Sequence, residues 1–266
     1  MIIIGELLNS TRKQIRQAIE KRDADTIRGI ALAQAVAGAD YLDVNAGALA
    51  DQELEALEWM IGIVRESTDK PLCIDSPRPE ALALGCRLAG DGPILINSIS
   101  AEKARYEEVL PLIVKHRAGV VALAMDDEGL LEDDERMFSV ASHLVEDLAA
   151  AGVEHDRIFL DPLVRPVATG SHYGNLALDL IGRIRGTFPG IHLSCGLSNV
   201  SFGLPERRLV NRAFLMLCMA RGLNAAIMDP TDQMLMGEMR AAEALLGRDE
   251  YCMNYIAASR SGNLGL

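Results

Sequence analysis

Short apolar segments that end in a carboxylate or a carboxamide recur along this chain, and they restrict its fold more than any other feature. Such segments end at Glu6, Asn45, Asp75, Asn97 and Asp161. Each is followed by a turn and then by an amphipathic stretch. Polar groups at the same end of successive strands meet in space only when those strands run parallel. We therefore expect one site, built from several loops at the carboxyl edge of a parallel sheet.

Apolar and amphipathic segments alternate eight times within about 245 residues. The apolar segments carry few polar residues on either face, which is typical of parallel strands covered by helices. The predicted strands are 2–6, 41–45, 72–75, 94–97, 120–124, 157–161, 191–194 and 225–228. An open doubly wound sheet is the alternative, but the Gly-rich loop that follows its first strand is absent. The sequence predicts an α/β protein, a single (β/α)8 TIM barrel formed by one domain, residues 1–266.

The amphipathic stretches predict the outer helices by their apolar periodicity and end signals. They cover 14–21, 25–37, 51–67, 79–89, 101–116, 133–151, 173–186, 207–221 and 232–246. The tail from Arg248 to Leu266 is richer in polar residues, and we expect it either to cap the barrel or to fray.

The charge of the chain excludes several kinds of partner. The formal net charge is -12, which disfavours nucleic acid and anionic membrane surfaces but permits a protein partner with a basic face. No segment approaches the roughly 18 unbroken apolar residues of a membrane span, and the first residues do not resemble a signal peptide. The sequence predicts a cytoplasmic protein.

Metal and covalent chemistry are poorly supported. The five cysteines include no C-x-x-C pair and the five histidines no H-x-H or H-E-x-x-H motif, so neither a disulfide framework nor a bound metal is predicted. Cys195 lies beside the expected site. The other cysteines are expected to be small core residues: Cys73, Cys86, Cys218 and Cys252. No lysine falls within a predicted strand, which disfavours a Schiff-base aldolase.

Three strand ends carry groups suited to a flat nitrogen heterocycle. Asp75, Asn97 and Asp161 each follow a buried-looking segment. Taken alone, an Asp there is as often the N-cap of the next helix. Three such residues on three strands favour a ligand site, because a carboxylate accepts two parallel N–H bonds and a carboxamide both donates and accepts.

The segment after the seventh strand adds small polar residues at the same edge. Gly196, Ser198 and Asn199 precede a predicted helix, so main-chain N–H groups and an amide point above the strand end. Arg207 starts that helix; it either reaches an anionic part of a ligand or is an ordinary surface charge.

These segments together resemble the methyltetrahydrofolate:corrinoid protein methyltransferases. The resemblance extends from Met1 to about Asn254. That family shares its pterin-binding barrel with cobalamin-dependent methionine synthase and with dihydropteroate synthase. The motifs are Gly5-Glu6, Leu42-Asp43-Val44-Asn45-Ala46-Gly47, Asp75-Ser76, Ile96-Asn97-Ser98, Asp161-Pro162-Leu163, Gly196-Leu197-Ser198-Asn199-Val200-Ser201 and Asn211-Arg212-Ala213-Phe214.

The resemblance implies a role for each candidate residue. Asn199 would act on the N5 methyl group as the catalytic residue, and Arg207 would lie near the aminobenzoate and glutamate portion. The family often has Gln where this chain has Phe202, whose ring offers a stacking surface instead. The remaining substrate-binding residues, which hold or line the pterin, would be Glu6, Asp75, Asn97, Asp161, Gly196 and Ser198.

The resemblance also implies an activity: transfer of a methyl group between N5 of tetrahydrofolate and the cobalt of a corrinoid on a separate partner protein. Folate is then a substrate, no metal is bound by this chain directly, and the protein is a homodimer that pairs through helix faces near 212–221 or 234–246. Two alternatives stay open. A dihydropteroate synthase-like enzyme would need a lysine and a Ser-x-Arg loop at the late strands, where neither is present, and a non-catalytic pterin-binding protein would not need Asn199.

Overall fold

The strands form the predicted barrel. The computed structural model describes residues 1–90, 92–129, 131 and 133–265. Within them, eight strands pair in the order β7-β6-β5-β4-β3-β2-β1-β8, with every neighbouring pair parallel. The strands are β1 (Ile2–Asn9), β2 (Tyr41–Asn45), β3 (Leu72–Asp75), β4 (Ile94–Ser100), β5 (Gly119–Leu123), β6 (Ile158–Asp161), β7 (His192–Leu193) and β8 (Ala225–Met228). The barrel closes between β7 and β8. There the main-chain nitrogen of Ile227, in β8, donates to the carbonyl oxygen of Cys195, just after β7, at 2.9 Å. The predicted (β/α)8 fold is confirmed.

In the described part of the chain, nine helices surround the strands at the predicted places, with every predicted end within two residues of the observed one, and a tenth helix in the tail was not predicted. They are α1 (Lys13–Glu20), α2 (Ala24–Ala37), α3 (Glu53–Ser67), α4 (Pro79–Leu88), α5 (Lys103–His116), α6 (Asp134–Ala150), α7 (Tyr173–Thr187), α8 (Arg207–Ala220), α9 (Gln233–Leu245) and α10 (Met253–Arg260). Among the described residues, no helix is both long enough and apolar enough to cross a membrane.

Two strands extend further than their sequence patterns predict. β1 continues to Asn9 and β4 to Ser100, each three residues past the polar residue taken as its end. The pairing register shifts between Gly5 and Leu8 in β1 and between Asn97 and Ile99 in β4. Such an irregularity lets a strand resume pairing after a polar side chain has turned toward the barrel axis, a change that hydrophobic alternation does not reveal.

The barrel interior explains why the strand ends carry the polar groups. Successive side chains of a strand point to opposite faces, so residues two apart share a face. The interior is filled by an apolar cluster of Ile4, Cys73, Leu95, Val121, Phe159 and Ala225. Two residues further along four of these strands are the polar residues Glu6, Asp75, Asn97 and Asp161. The site is therefore the next inward-facing level, directly above the apolar interior.

The C-terminal tail packs along the outside of the barrel. Asp249 accepts hydrogen bonds from the main-chain nitrogens of Asn254 at 3.0 Å and Tyr255 at 2.9 Å, which starts α10. Farther on, Arg240 of α9 donates to the Asn263 carbonyl oxygen at 2.7 Å. The described part of the tail is thus an ordered addition to the outer helical layer, and the expectation of a cap or a frayed end is wrong; Leu266 lies outside the described residues.

The cysteine prediction holds at three of four positions. Cys73, Cys86 and Cys218 are buried, and so is Cys195. Cys252 is exposed, and the prediction that it belongs to the core is wrong. It lies in a left-handed turn, with φ of 57°, directly before α10.

Candidate functional site

Six of the eight predicted site residues line one cavity of about 250 Å³ at the carboxyl end of the barrel. They are Glu6, Asp75, Asn97, Gly196, Ser198 and Asn199. Arg207 lines an adjoining cavity of about 190 Å³ that shares Glu6 and Ser198 with the first. Asp161 lines neither cavity. A larger cavity, about 360 Å³, lies between α2 and α9 and is lined by none of the predicted site residues.

Glu6 is held by two side chains that also line the cavity. Arg12 donates to Glu6 Oε1 at 2.7 Å. The Ser198 hydroxyl donates to Oε1 at 3.0 Å and to Oε2 at 3.2 Å. Burial raises the pKa of Glu6 above its usual value, while the Arg12 charge and the Ser198 hydrogen bond act in the opposite direction.

Asp75 is oriented by a neighbouring strand. Asn45 donates from Nδ2 to Asp75 Oδ2 at 2.9 Å. The Asn45 amide is itself fixed, because its oxygen accepts from the Ser10 hydroxyl at 3.1 Å and from the Gly47 nitrogen at 3.0 Å. Burial raises the pKa of Asp75 to about 6, against the lowering effect of the Asn45 hydrogen bond. Within the described residues Oδ1 of Asp75 accepts no hydrogen bond, so it is available to a ligand.

A second carboxyl group supports Asn97 from below. Asn97 donates from Nδ2 to Asp43 Oδ1 at 3.3 Å, and Asp43 is only 1% exposed. Sequence reasoning gave neither Asp43 nor Asn45 a role of its own in the site, although both lie in one of the family motifs and Asn45 ends a strand at the expected edge. The signal was present in the segment Leu42-Asp43-Val44-Asn45, where two polar residues two positions apart must share the inner face of β2.

Asp161 connects the end of β6 to the loops beside it. It is 6% exposed, and its Oδ1 accepts from the Leu163 nitrogen at 2.8 Å. Burial raises its pKa to about 6, while hydrogen bonds from the main-chain N–H groups of Leu163 and Gly196 lower it. Asp161 therefore positions the Gly196 loop rather than lining the cavity.

Arg207 supports the loop that carries Ser198 and Asn199. Its Nη2 donates to the Ser198 carbonyl oxygen at 2.6 Å and its Nε to the Ser201 hydroxyl at 3.1 Å. Its guanidinium carbon lies 5.8 Å from the ring centre of Phe202, and Phe202 is 65% exposed. The Asn199 side chain is exposed and makes no hydrogen bond within the described residues, so its amide is free to reorient.

Arg105 was also missed, and it joins the loop after β3 to β4. It donates from Nε to the Ser98 carbonyl oxygen at 2.9 Å, from Nη1 to that of Pro77 at 2.6 Å and from Nη2 to that of Ser76 at 2.9 Å. One guanidinium thus holds the loop after β3 against the irregular part of β4, and its charge lowers the pKa of Asp75. No sequence signal distinguishes it from other helix-face arginines. Among the described residues, no three His, Cys, Asp or Glu side chains are grouped to hold a metal ion.

Comparison with known proteins identifies the family. The profile of the pterin binding enzyme family matches residues 5–229. The chain belongs to the pterin-binding enzymes. This member is 41% identical, over 100% of its length and 98% of the relative's, to the methylcorrinoid:tetrahydrofolate methyltransferase of Eubacterium limosum. It is 29% identical over 85% of its length to the methionine synthase of Mycobacterium leprae, of which it spans 20%. The family resemblance read from the sequence motifs is confirmed.

Solved structures with the same fold include dihydropteroate synthases. One from Yersinia pestis in complex with a sulfonamide drug has a TM-score of 0.71 at 16% identity, with 92% of this chain and 94% of that chain aligned. One from Xanthomonas albilineans with 7,8-dihydropteroate has a TM-score of 0.68 at 20% identity, with 92% and 93% aligned. At these identities the likeness of this pterin-binding enzyme to them concerns the fold alone.

Proposed function

We propose that this protein transfers a methyl group between N5 of tetrahydrofolate and the cobalt of a corrinoid carried by a separate protein. The observation that carries the proposal is the 41% identity, over the whole chain, to a methylcorrinoid:tetrahydrofolate methyltransferase. The polar cavity above the barrel interior supports it, because its carboxylate and amide groups suit a pterin ring.

The pterin would lie in the cavity lined by Asp75 and Asn97. Oδ1 of Asp75 and the amide of Asn97 present hydrogen-bonding groups to its edge, and Gly196 and Ser198 form the adjacent wall. Asp161, which lines neither cavity, would hold the pterin through the Gly196 loop, whose main-chain N–H group it binds. Arg207 lies in the adjoining cavity, where its charge suits the carboxylates of the glutamate portion.

Asn199 would act on the reacting nitrogen. The corrinoid supplies the cobalt that exchanges the methyl group. As the N5–methyl bond lengthens, electron density collects on N5 and calls for a hydrogen-bond donor. The unbonded Asn199 amide can supply that donor, and its position at the exposed mouth leaves the methyl group open to an incoming partner. The same residues serve transfer in either direction, since both directions share one transition state.

Two finer features belong to the same proposal. The protein would be a homodimer that pairs through an apolar groove of about 350 Å³ between α8 and α9, lined by Met216, Leu245 and Leu246 among others. It would work in the cytoplasm, where its five unpaired cysteines would stay reduced.

The test is a cobalt(I) absorbance assay. Purified protein is mixed with methyltetrahydrofolate and free cobalamin reduced to the cobalt(I) form. Protein-dependent loss of the cobalt(I) band is the expected result. If the protein binds folate but the cobalt(I) band persists with both free cobalamin and a corrinoid protein, the protein binds pterins and does not transfer the methyl group.

A further inference from the structure

A carboxyl group lies inside the barrel, one level below the residues assigned to the ligand. Asp43 pairs in register with Cys73, and Cys73 with Leu95. Cys73 and Leu95 belong to the apolar interior cluster. Asp43 thus occupies a level that is otherwise apolar, and it is only 1% exposed. A buried polar group at such a position needs a partner to offset its lost hydration.

Asp43 has two such partners, the thiol of Cys73 on the next strand and the amide of Asn97, two strands away. Side chains that point toward the axis can meet across an intervening strand, and Asn97 Nδ2 donates to Asp43 Oδ1 at 3.3 Å. This bond distinguishes the two ends of the amide. The nitrogen points down toward Asp43, and within the described residues the amide oxygen accepts no hydrogen bond. It is therefore the end of Asn97 available to the cavity that both residues line.

We propose that Asp43 is a positioning residue that fixes the orientation of the Asn97 amide, so that its oxygen faces the pterin and selects a ring N–H donor. The proposal rests on the proposed function, since it assumes a pterin in this cavity. Without Asp43, the amide of Asn97 could rotate by half a turn and present its nitrogen to the ring. A ring N–H group would then face the N–H group of the amide. One hydrogen bond would be lost, and a buried donor would have no acceptor.

The surroundings of Asp43 disfavour its charged form. Burial raises its pKa well above the usual value, and the nearby Asp75 and, more weakly, Glu6 raise it further, while Cys73 and Asn97 lower it. Charged or uncharged, the carboxyl group has an oxygen that accepts from Asn97. An asparagine side chain has the same shape and the same kind of acceptor, so it should replace Asp43 in this role.

The experiment is a double-mutant cycle read by calorimetric titration with tetrahydrofolate, which is independent of methyl transfer. Asp43→Leu should weaken binding by about tenfold. Asp43→Asn, the conservative variant, should recover binding to within about threefold of wild type. In an Asn97→Ala background, Asp43→Leu should change binding by less than about twofold, because the residue through which Asp43 acts is gone.

Two outcomes would overturn the proposal. If Asp43→Leu lowers the affinity for tetrahydrofolate equally with and without the Asn97 side chain, Asp43 does not act through Asn97. An Asp43→Asn variant as weak as Asp43→Leu would mean that the accepting oxygen is not what matters. If a circular dichroism melt shows that Asp43→Leu does not fold, the cycle is run with Asp43→Val, whose β-branched side chain suits a strand. Failure of the wild type itself to bind tetrahydrofolate would count against the proposed function instead.

Discussion

The hydroxyl of Ser198 donates hydrogen bonds to both carboxylate oxygens of Glu6, at 3.0 Å and 3.2 Å. The two residues are 192 positions apart. Glu6 is part of β1, whereas Ser198 is in the loop after β7, next to Asn199. The contact therefore joins the first strand to the loop that carries the proposed catalytic amide, and Arg12 is a second partner of Glu6.

Ser198→Ala should disturb that loop without unfolding the barrel. Glu6 keeps Arg12 as a partner, so we expect only a small fall in melting temperature. Folate affinity should fall by about tenfold, the size of a lost hydrogen bond to a charged group. Calorimetric titration and a thermal melt measure the two effects. Ser139→Ala, on the exposed face of α6, is the matched control and should match wild type.

Asn199→Ala should separate binding from transfer. The Asn199 amide makes no hydrogen bond in the described structure, so its loss should change folate affinity by less than about tenfold. A donor that acts mainly in the transition state contributes about 10²–10³-fold to the rate, and methyl transfer should slow by at least about 100-fold. Single-turnover stopped flow on the cobalt(I) band at saturating folate measures the rate constant. An unchanged rate constant would show that Asn199 only shapes the cavity.

Gly196→Ala should act through Asn199. A Cβ at this position would lie 2.9 Å from Asn199 Nδ2, which is too close, so the amide must move. We expect transfer to slow by about tenfold or more while the melting temperature stays near that of wild type. The control is Gly29→Ala in α2, where an added Cβ meets nothing within 4 Å. That variant should keep full activity and gain up to about 1 kcal/mol of stability. Equal rates for the two variants would contradict the steric argument.

Folate affinity and protein stability should depend on pH in opposite directions. Burial raises the pKa values of Asp75 and Asp161 from 3.8 to about 6. Because these pKa values are raised on folding, their contribution to stability is complete below pH 3.8 and is lost as pH rises through about 6. The ionised carboxylates are the better acceptors for pterin N–H groups, so folate affinity should rise as pH rises over the same interval.

The two pH effects can be assigned with a single variant. Asp75→Asn cannot ionise, so subtracting its profile from that of wild type isolates the Asp75 contribution. Thermal melts and calorimetric titrations between about pH 5 and pH 7.5 provide both profiles. A wild-type affinity that does not change across this range, or a difference profile without slope, would contradict ionisation of Asp75 on binding.

Leu245→Glu should disrupt the proposed homodimer. Leu245 is 87% exposed on α9 and lines the apolar groove against α8. A charge there is easily hydrated in a monomer but is costly inside an apolar interface. Sedimentation velocity should show a dimer for wild type and a monomer for the variant. Leu209→Glu, at a residue 68% exposed outside that groove, is the control and should stay dimeric.

The sequence alone determined the barrel and most of the site. Asp75 and Asn97 could be placed side by side because both end apolar segments, and the carboxyl ends of parallel strands meet at one edge. Apolar periodicity also predicted the helix ends. The spacing of apolar residues shows which face of a helix is buried, and that spacing can be read from consecutive residues.

Tertiary structure decided which of these residues face the cavity and what holds them. Asp161 has the same sequence context as Asp75, yet its carboxylate is used by the Leu163 and Gly196 main chain and lines no cavity in this structure. Asp43 supports Asn97 across an intervening strand, and Ser198 reaches Glu6 across 192 positions. These contacts depend on strand tilt and barrel closure, which arise from the packing of all the strands together, so no local pattern in the chain specifies them.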